Sequence, residues 1–262
     1  MKAGVFLQKI LIIIVILLGA FLLLISVPSF LPIGKQTAEL TDHIDVIEMD
    51  VSGVSTTIIP EKRDNVEAEL DGNGTVQVKT SGNSIEIDYK RKWYQPFGFF
   101  KRPKLTVYLP DDYQRDLAIE VGSGNVNSKD LHLNNLLLDV NSGNVNLDSI
   151  TTQTGFLDVR SGNIDLQHYT GQLEADVSSG NLSIQMDELT DSVKVDESSG
   201  HVELDLPDKA DFTLDGNVSS GFISSSFPLK DKQESKRELK GINGTGEHHV
   251  DLSVSSGKIE VK

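Results

Sequence analysis

Leu136-Leu137-Leu138-Asp139-Val140-Asn141-Ser142-Gly143-Asn144-Val145-Asn146-Leu147 reads as two alternating strands joined at a Ser-Gly-Asn corner. Leu136, Leu138 and Val140 take every second place before the corner, and Val145 and Leu147 do so after it. Period two is the mark of a strand with one buried face. The inward phase slips by one residue between Val140 and Val145, so a bend or bulge must absorb the extra residue. Gly followed by Asn tolerates the φ > 0 that such a bend asks for. The outward places hold Asp139 and Asn146.

The same unit recurs on both sides. Gly124-Asn125-Val126, Gly162-Asn163-Ile164 and Gly180-Asn181-Leu182 match it closely; Gly200-His201-Val202, Gly221-Phe222-Ile223 and Gly257-Lys258-Ile259 keep its glycine and its apolar residue. From Gly124 the glycines are spaced 19, 19, 18, 20, 21 and then 36 residues apart. Ser81-Gly82-Asn83-Ser84-Ile85 reads as an earlier copy 42 residues before Gly124, and Ser52-Gly53-Val54 as a degenerate first one. A near-fixed period of this length is the signature of a β-solenoid, whose single coil cannot bury its apolar side alone. The expected fold is therefore all-β, a single-stranded β-helix of coils of about 19 residues over 44–262. Gly82, Gly124, Gly143, Gly162, Gly180, Gly200, Gly221 and Gly257 are its corners. Asn125, Asn144, Asn163 and Asn181 are expected to stack as an amide ladder. A meandering β-sandwich is the rival, and the regular spacing speaks against it. Leu109-Pro110 and Leu206-Pro207 end strands. The Lys-, Glu- and Gly-rich stretch 228–249 is expected to be a solvated loop.

Residues 10–27 are eighteen uncharged residues, nearly all Ile, Leu and Val. As a helix they would cover about 27 Å, close to the hydrocarbon thickness of a bilayer. Lys2 and Lys9 precede them, while Glu39, Asp42 and Asp45 follow soon after Lys35. The positive-inside bias puts a cytoplasmic stub at 1–9, an anchor at 10–27, a linker at 28–43 and everything later outside the cell membrane. The alternative is a cleaved signal peptide, against which stand the long apolar run and the lack of a good small-residue cleavage site.

After residue 35 there are 39 acidic against 21 basic residues, a net charge of −18. Such a surface repels phosphate backbones and excludes nucleic acid as a partner. The absence of cysteine excludes disulfides, thiolate chemistry and a lipid-modified cysteine anchor.

The apolar head, the alternating strands ending in Leu109-Pro110 and Leu206-Pro207, the serial Ser-Gly-Asn-Val units and the closing Ser255-Ser256-Gly257-Lys258-Ile259-Glu260-Val261 resemble the bacterial putative-adhesin family of membrane-anchored or secreted β-solenoids. The likeness covers residues 44–262. Within that family it is similar to the anchored members encoded with Lia-type cell-envelope-stress systems of Gram-positive bacteria. The resemblance implies an extracytoplasmic solenoid without known catalytic residues and an accessory role in envelope stress.

No catalytic constellation stands out. The six histidines form no H-E-x-x-H or similar zinc spacing, and no nucleophile elbow or P-loop occurs. No catalytic residue, cofactor or metal is expected. Asp139, Asp158 and Asp176 would suit a carbohydrate-active enzyme, but they occupy outward repeat positions, where acids keep a repeat soluble. A passive spacer is the remaining alternative.

One segment is distinctive. Lys90, Arg91, Lys92, Lys101, Arg102 and Lys104 flank Trp93, Tyr94, Phe97, Phe99 and Phe100, so 90–104 holds six of the 21 external basic residues and the chain's single tryptophan. Trp and Tyr favour the membrane interface, and each cation near an anionic surface contributes about 1 kcal/mol. The segment reads equally as a grip on anionic lipid or wall polymer and as an aromatic plug for the solenoid end. An envelope protein is the third candidate partner.

Overall fold

The computed structural model describes residues 35–91 and 102–262. The apolar stretch 10–27 lies outside them, as do Lys92, Trp93, Tyr94, Phe97, Phe99, Phe100 and Lys101. No helix long and apolar enough to cross a membrane occurs among the described residues.

Among the described residues seventeen strands form one continuous hydrogen-bonded sheet. The first eight are β1 (Lys35–Glu39), β2 (Val46–Asp50), β3 (Val54–Glu61), β4 (Asn65–Asp71), β5 (Thr75–Ser81), β6 (Ser84–Lys90), β7 (Lys104–Pro110) and β8 (Asp116–Val121). Then come β9 (Gly124–Val140), β10 (Gly143–Val159), β11 (Gly162–Val177), β12 (Gly180–Glu188) and β13 (Val193–Asp205). The last four are β14 (Phe212–Ser225), β15 (Lys230–Glu234), β16 (Glu238–Asn243) and β17 (His248–Val261).

Parallel pairing stacks these strands as the coils of a solenoid. Gly143 pairs with Gly124 and with Gly162, Gly162 with Gly180, Gly180 with Gly200, Gly200 with Gly257 and Gly257 with Gly221. The side chains inside stack by type. Val126, Val145, Ile164, Leu182, Val202, Ile259 and Ile223 form one buried column just after the corner. Every coil thus buries its inward residues against the coils above and below, which no isolated coil could do.

The glycines are required by close approach as well as by dihedral angle. Gly162 has φ +151°, and a Cβ built there would lie 2.1 Å from the carbonyl oxygen of Gly143. At Gly221 the same atom would fall 1.7 Å from the Gly257 oxygen. A second bend comes six residues after three of the corners, where Asp130, Ser149 and His168 take φ between 52° and 60°.

The order of coils in space is not their order in the chain. They run 84–110, 46–61, 116–128, 136–148, 154–167, 173–188, 193–205, 248–261 and 212–225. The first coil of the chain is threaded between the second and third, and the last is threaded between β13 and β14. Both ends are closed by antiparallel strands. At one end β5 covers β6, β4 covers β7 and β1 covers β4. At the other, β16 covers the first half of β14, β15 covers β16, and Phe227 packs edge-on against Phe212 with ring centroids 5.1 Å apart.

Three expectations need correction. Gly82 is no solenoid corner. It sits in a tight hairpin turn, with Ser81 and Ser84 paired antiparallel between β5 and β6, so a hairpin has borrowed the same Ser-Gly-Asn chemistry. The stretch 228–249 is not a loop, because β15, β16 and the start of β17 pair within it and cap β14. The linker 28–43 ends in structure: Lys35–Glu39 is β1, held to β4 and by the ion pair of Lys35 Nζ with Glu67 at 2.5 Å.

Candidate functional site

The corner column is the most regular surface of the molecule. Asn144 donates from Nδ2 to the Asn125 Oδ1 at 3.1 Å, Asn163 to Asn144 at 2.9 Å and Asn181 to Asn163 at 2.7 Å. The amide ladder expected from the repeat is therefore present. Two residues on, Asn146 donates to Asn127 at 2.9 Å. The rungs then change character: Asn181 is followed in register by His201, Lys258 and Phe222. Phe222 is the exposed large apolar residue of the described chain, at 52% exposure, and the Lys258 ammonium lies 5.2 Å from its ring centre.

Before the corners runs a second column, of acids. Asp88, Asp50, Glu120, Asp139, Asp158, Asp176 and Asp196 pair in register on successive coils. Like charges stacked this way are destabilising. Partial burial, then neighbouring carboxylates, hold the carboxyls of Glu120 and Asp139 above their ordinary range. Burial also raises Asp176, with Lys194 opposing. At one end of the row burial also raises Asp88, whose Oδ2 is buried without a hydrogen-bond partner.

The described residues that flank the basic–aromatic segment belong to the 84–110 coil. Asp50 of β2 pairs with Asp88 of β6, and Ser55 of β3 with Lys104 of β7. Where the 46–61 coil spends only 51–54 on its corner, the 84–110 coil spends 89–103. The 84–110 coil thus has a longer stretch of chain between its two paired strands than the 46–61 coil has. The segment's described residues, Lys90, Arg91, Arg102 and Lys104, are all exposed.

Two features escaped sequence reading. Glu197 stands in the buried column of Val177 and Val254, 3% exposed. Neither of its oxygens completes a hydrogen bond, although the His201 backbone N–H offsets part of the burial cost. Burial pushes its carboxyl up to about 7. The second feature is a cluster of possible donor atoms that no local spacing in the sequence announces. His201, Glu203 and Glu260 place one donor atom each within 4.8 Å of one another, because β13 and β17 are neighbours in space though far apart in sequence.

The sequence matches the Toastrack DUF4097 family over residues 44–157 and again over 122–262. The chain belongs to this Toastrack family. Each match takes in one of the two threaded coils, 46–61 in the first and 248–261 in the second. No curated protein matches the chain. Among solved structures it is similar to a "putative adhesin" from Bacteroides fragilis (14% identity, TM-score 0.47, 87% of this chain and 96% of that one). It is also similar to a "putative cell adhesion protein" from Clostridium sporogenes (9%, TM-score 0.39, 87% and 98%). A third is a "putative lipid binding protein" from Parabacteroides distasonis (13%, TM-score 0.35, 87% and 97%).

Proposed function

We propose that this Toastrack protein is a non-enzymatic, membrane-anchored scaffold outside the cell, whose basic–aromatic segment grips the anionic surface of its own membrane. The observation that carries this reading is where the segment is attached. It leaves from the 84–110 coil at one end of the stack, and β1 is fastened to that same end through β4 and β7. Lys35 begins β1 only eight residues after Val27. Eight residues reach at most about 29 Å. If 10–27 spans the bilayer, the end bearing the segment is tethered next to the headgroups, where cations and interfacial aromatics are most effective. The role of an end plug is already filled, because β5 and β4 cover β6 and β7. That favours a binding role for the segment over a capping one.

The narrower resemblance, to LiaG of the Lia-type systems, adds an accessory role in envelope stress. A scaffold held on the membrane by one end would present its amide ladder and acid row to wall polymer or to an envelope protein.

The test is co-sedimentation of residues 33–262, which contain the whole hydrophobic core, with anionic vesicles, neutral vesicles and purified cell walls at low and high salt. Pelleting with anionic vesicles alone, weakened by salt and lost when Lys90, Arg91, Lys92, Lys101 and Arg102 become Ser, is the expected result. Five cations at about 1 kcal/mol each make the loss on the order of several thousandfold. Unchanged pelleting of the variant, or none by the wild type, overturns the reading.

A further inference from the structure

His201 breaks the asparagine ladder, and the residues around it explain what the break can do. On β13 it is followed two places later by Glu203, on the same outward face. Strand β17 lies next to β13 in parallel register, which sets Glu260 directly opposite Glu203. Two carboxylates stacked this way repel unless something lies between or beside them. The other coils place Asn127 and Asn146, Asp165 and Ser183 at this height, so the pair of glutamates is particular to this junction.

Each glutamate is held by one oxygen. Glu203 Oε1 receives Lys262 Nζ at 2.6 Å, and Glu260 Oε1 receives Lys258 Nζ. The other oxygen of each turns to the same imidazole nitrogen. His201 Nε2 lies 3.4 Å from Glu260 Oε2 and 3.8 Å from Glu203 Oε2. Around a tetrahedral zinc ion with bonds of about 2.0–2.1 Å, neighbouring donor atoms stand about 3.4 Å apart. One imidazole nitrogen and two carboxylate oxygens are a donor set for zinc and its neighbours in the first transition series, with a place left for water. The lysines serve as outer partners that aim the carboxylates. All three side chains are two-thirds sheltered, which limits competition from solvent.

We propose that His201, Glu203 and Glu260 form a divalent transition-metal site that pins the last coil of the chain into the stack. Glu203 and His201 belong to β13, Glu260 to β17. The ion bridges the seam at which a strand distant in sequence is threaded between two earlier ones. Binding to the folded state alone stabilises that seam in proportion to the free metal.

The test uses the full-length chain in detergent, freed of metal with a chelator, and titrated with Zn2+ by calorimetry and with Co2+ by visible absorption. The expected result is one ion per chain, with Co2+ bands of low-symmetry coordination and a melting temperature that rises with Zn2+. His201→Asn is the deciding variant, because asparagine is the resident of this rung in four other coils and continues the ladder. It is expected to melt as the wild type does in chelator, yet to bind at least about tenfold more weakly and lose the bands. Glu260→Gln should do the same. Zn2+ bound equally by wild type and His201→Asn would place the ion on the acid column and overturn the proposal, as would no binding by the wild type.

Discussion

At Glu197 the repeat sets a carboxyl in a column where Val121, Val140, Val159, Val177, Val254 and Val218 stand on other coils. The side chain lies against Gly200, beneath the corner, where a Cβ on that glycine would meet Oε1 at 2.2 Å. An unsatisfied buried carboxyl costs about 1–3 kcal/mol, and more once ionised. Its carboxyl is raised from 4.5 to about 7, so across that interval the folded chain binds more protons at this position than the unfolded one. Its contribution to stability therefore declines as pH rises from about 4.5 to 7, then levels off. Glu197→Val should add about 2 kcal/mol at pH 8, or about 4–8 °C in melting temperature for a domain of this size. The advantage should shrink toward pH 5, as thermal melts across that range would show. A variant equally or less stable than the wild type at pH 8 would mean the carboxyl has partners in solution that the structure lacks.

At the scale of the strand, the threading of β17 matters most. It is bonded in register to β13 on one side and β14 on the other, so it is interior although it ends the chain. Ending the chain at residue 247 would strip both neighbours of a full ladder of backbone hydrogen bonds and expose Val202, Leu204 and Leu214. The expected outcome is loss of cooperative unfolding in the half beyond β12, with rapid proteolysis after residue 193. A truncated chain that melted like the intact one would show that β14 can close onto β13 by itself. This threading is also where sequence reading stopped. Consecutive coils from Gly124 to Gly200 were legible because each pairs with the next in the chain, and a spacing near 19 records that. The gap of 36 between Gly221 and Gly257 showed a break in the rhythm without showing that β17 lies between β13 and β14 rather than beyond β14. Gly82 misled because a hairpin turn and a solenoid corner ask for the same φ > 0 residues. The cluster of His201, Glu203 and Glu260 was hidden for the same reason as the threading, since its members meet across a pairing that no local spacing encodes.

For the whole molecule, the acid surface and the basic segment are set in different places. The carboxylate row runs along the stack from Asp88 to Asp196, while Lys90, Arg91, Arg102 and Lys104 belong to the 84–110 coil at the end that carries β1. A chain with net charge −18 beyond residue 35 is repelled by anionic membranes over most of its surface. On the membrane-bound reading proposed above, such a charge distribution would favour contact through the basic segment over contact through the acid row. Trp93 is the single tryptophan and opens the aromatic run, so its fluorescence reports on the segment without any label. The deciding measurement is Trp93 emission from residues 33–262 mixed with anionic vesicles, some carrying bromine on their acyl chains. The account predicts a blue shift with anionic but not neutral vesicles, reversal by salt, and quenching by the brominated lipid. Emission that stays unchanged, or shifts without quenching, would contradict a segment seated in the membrane interface.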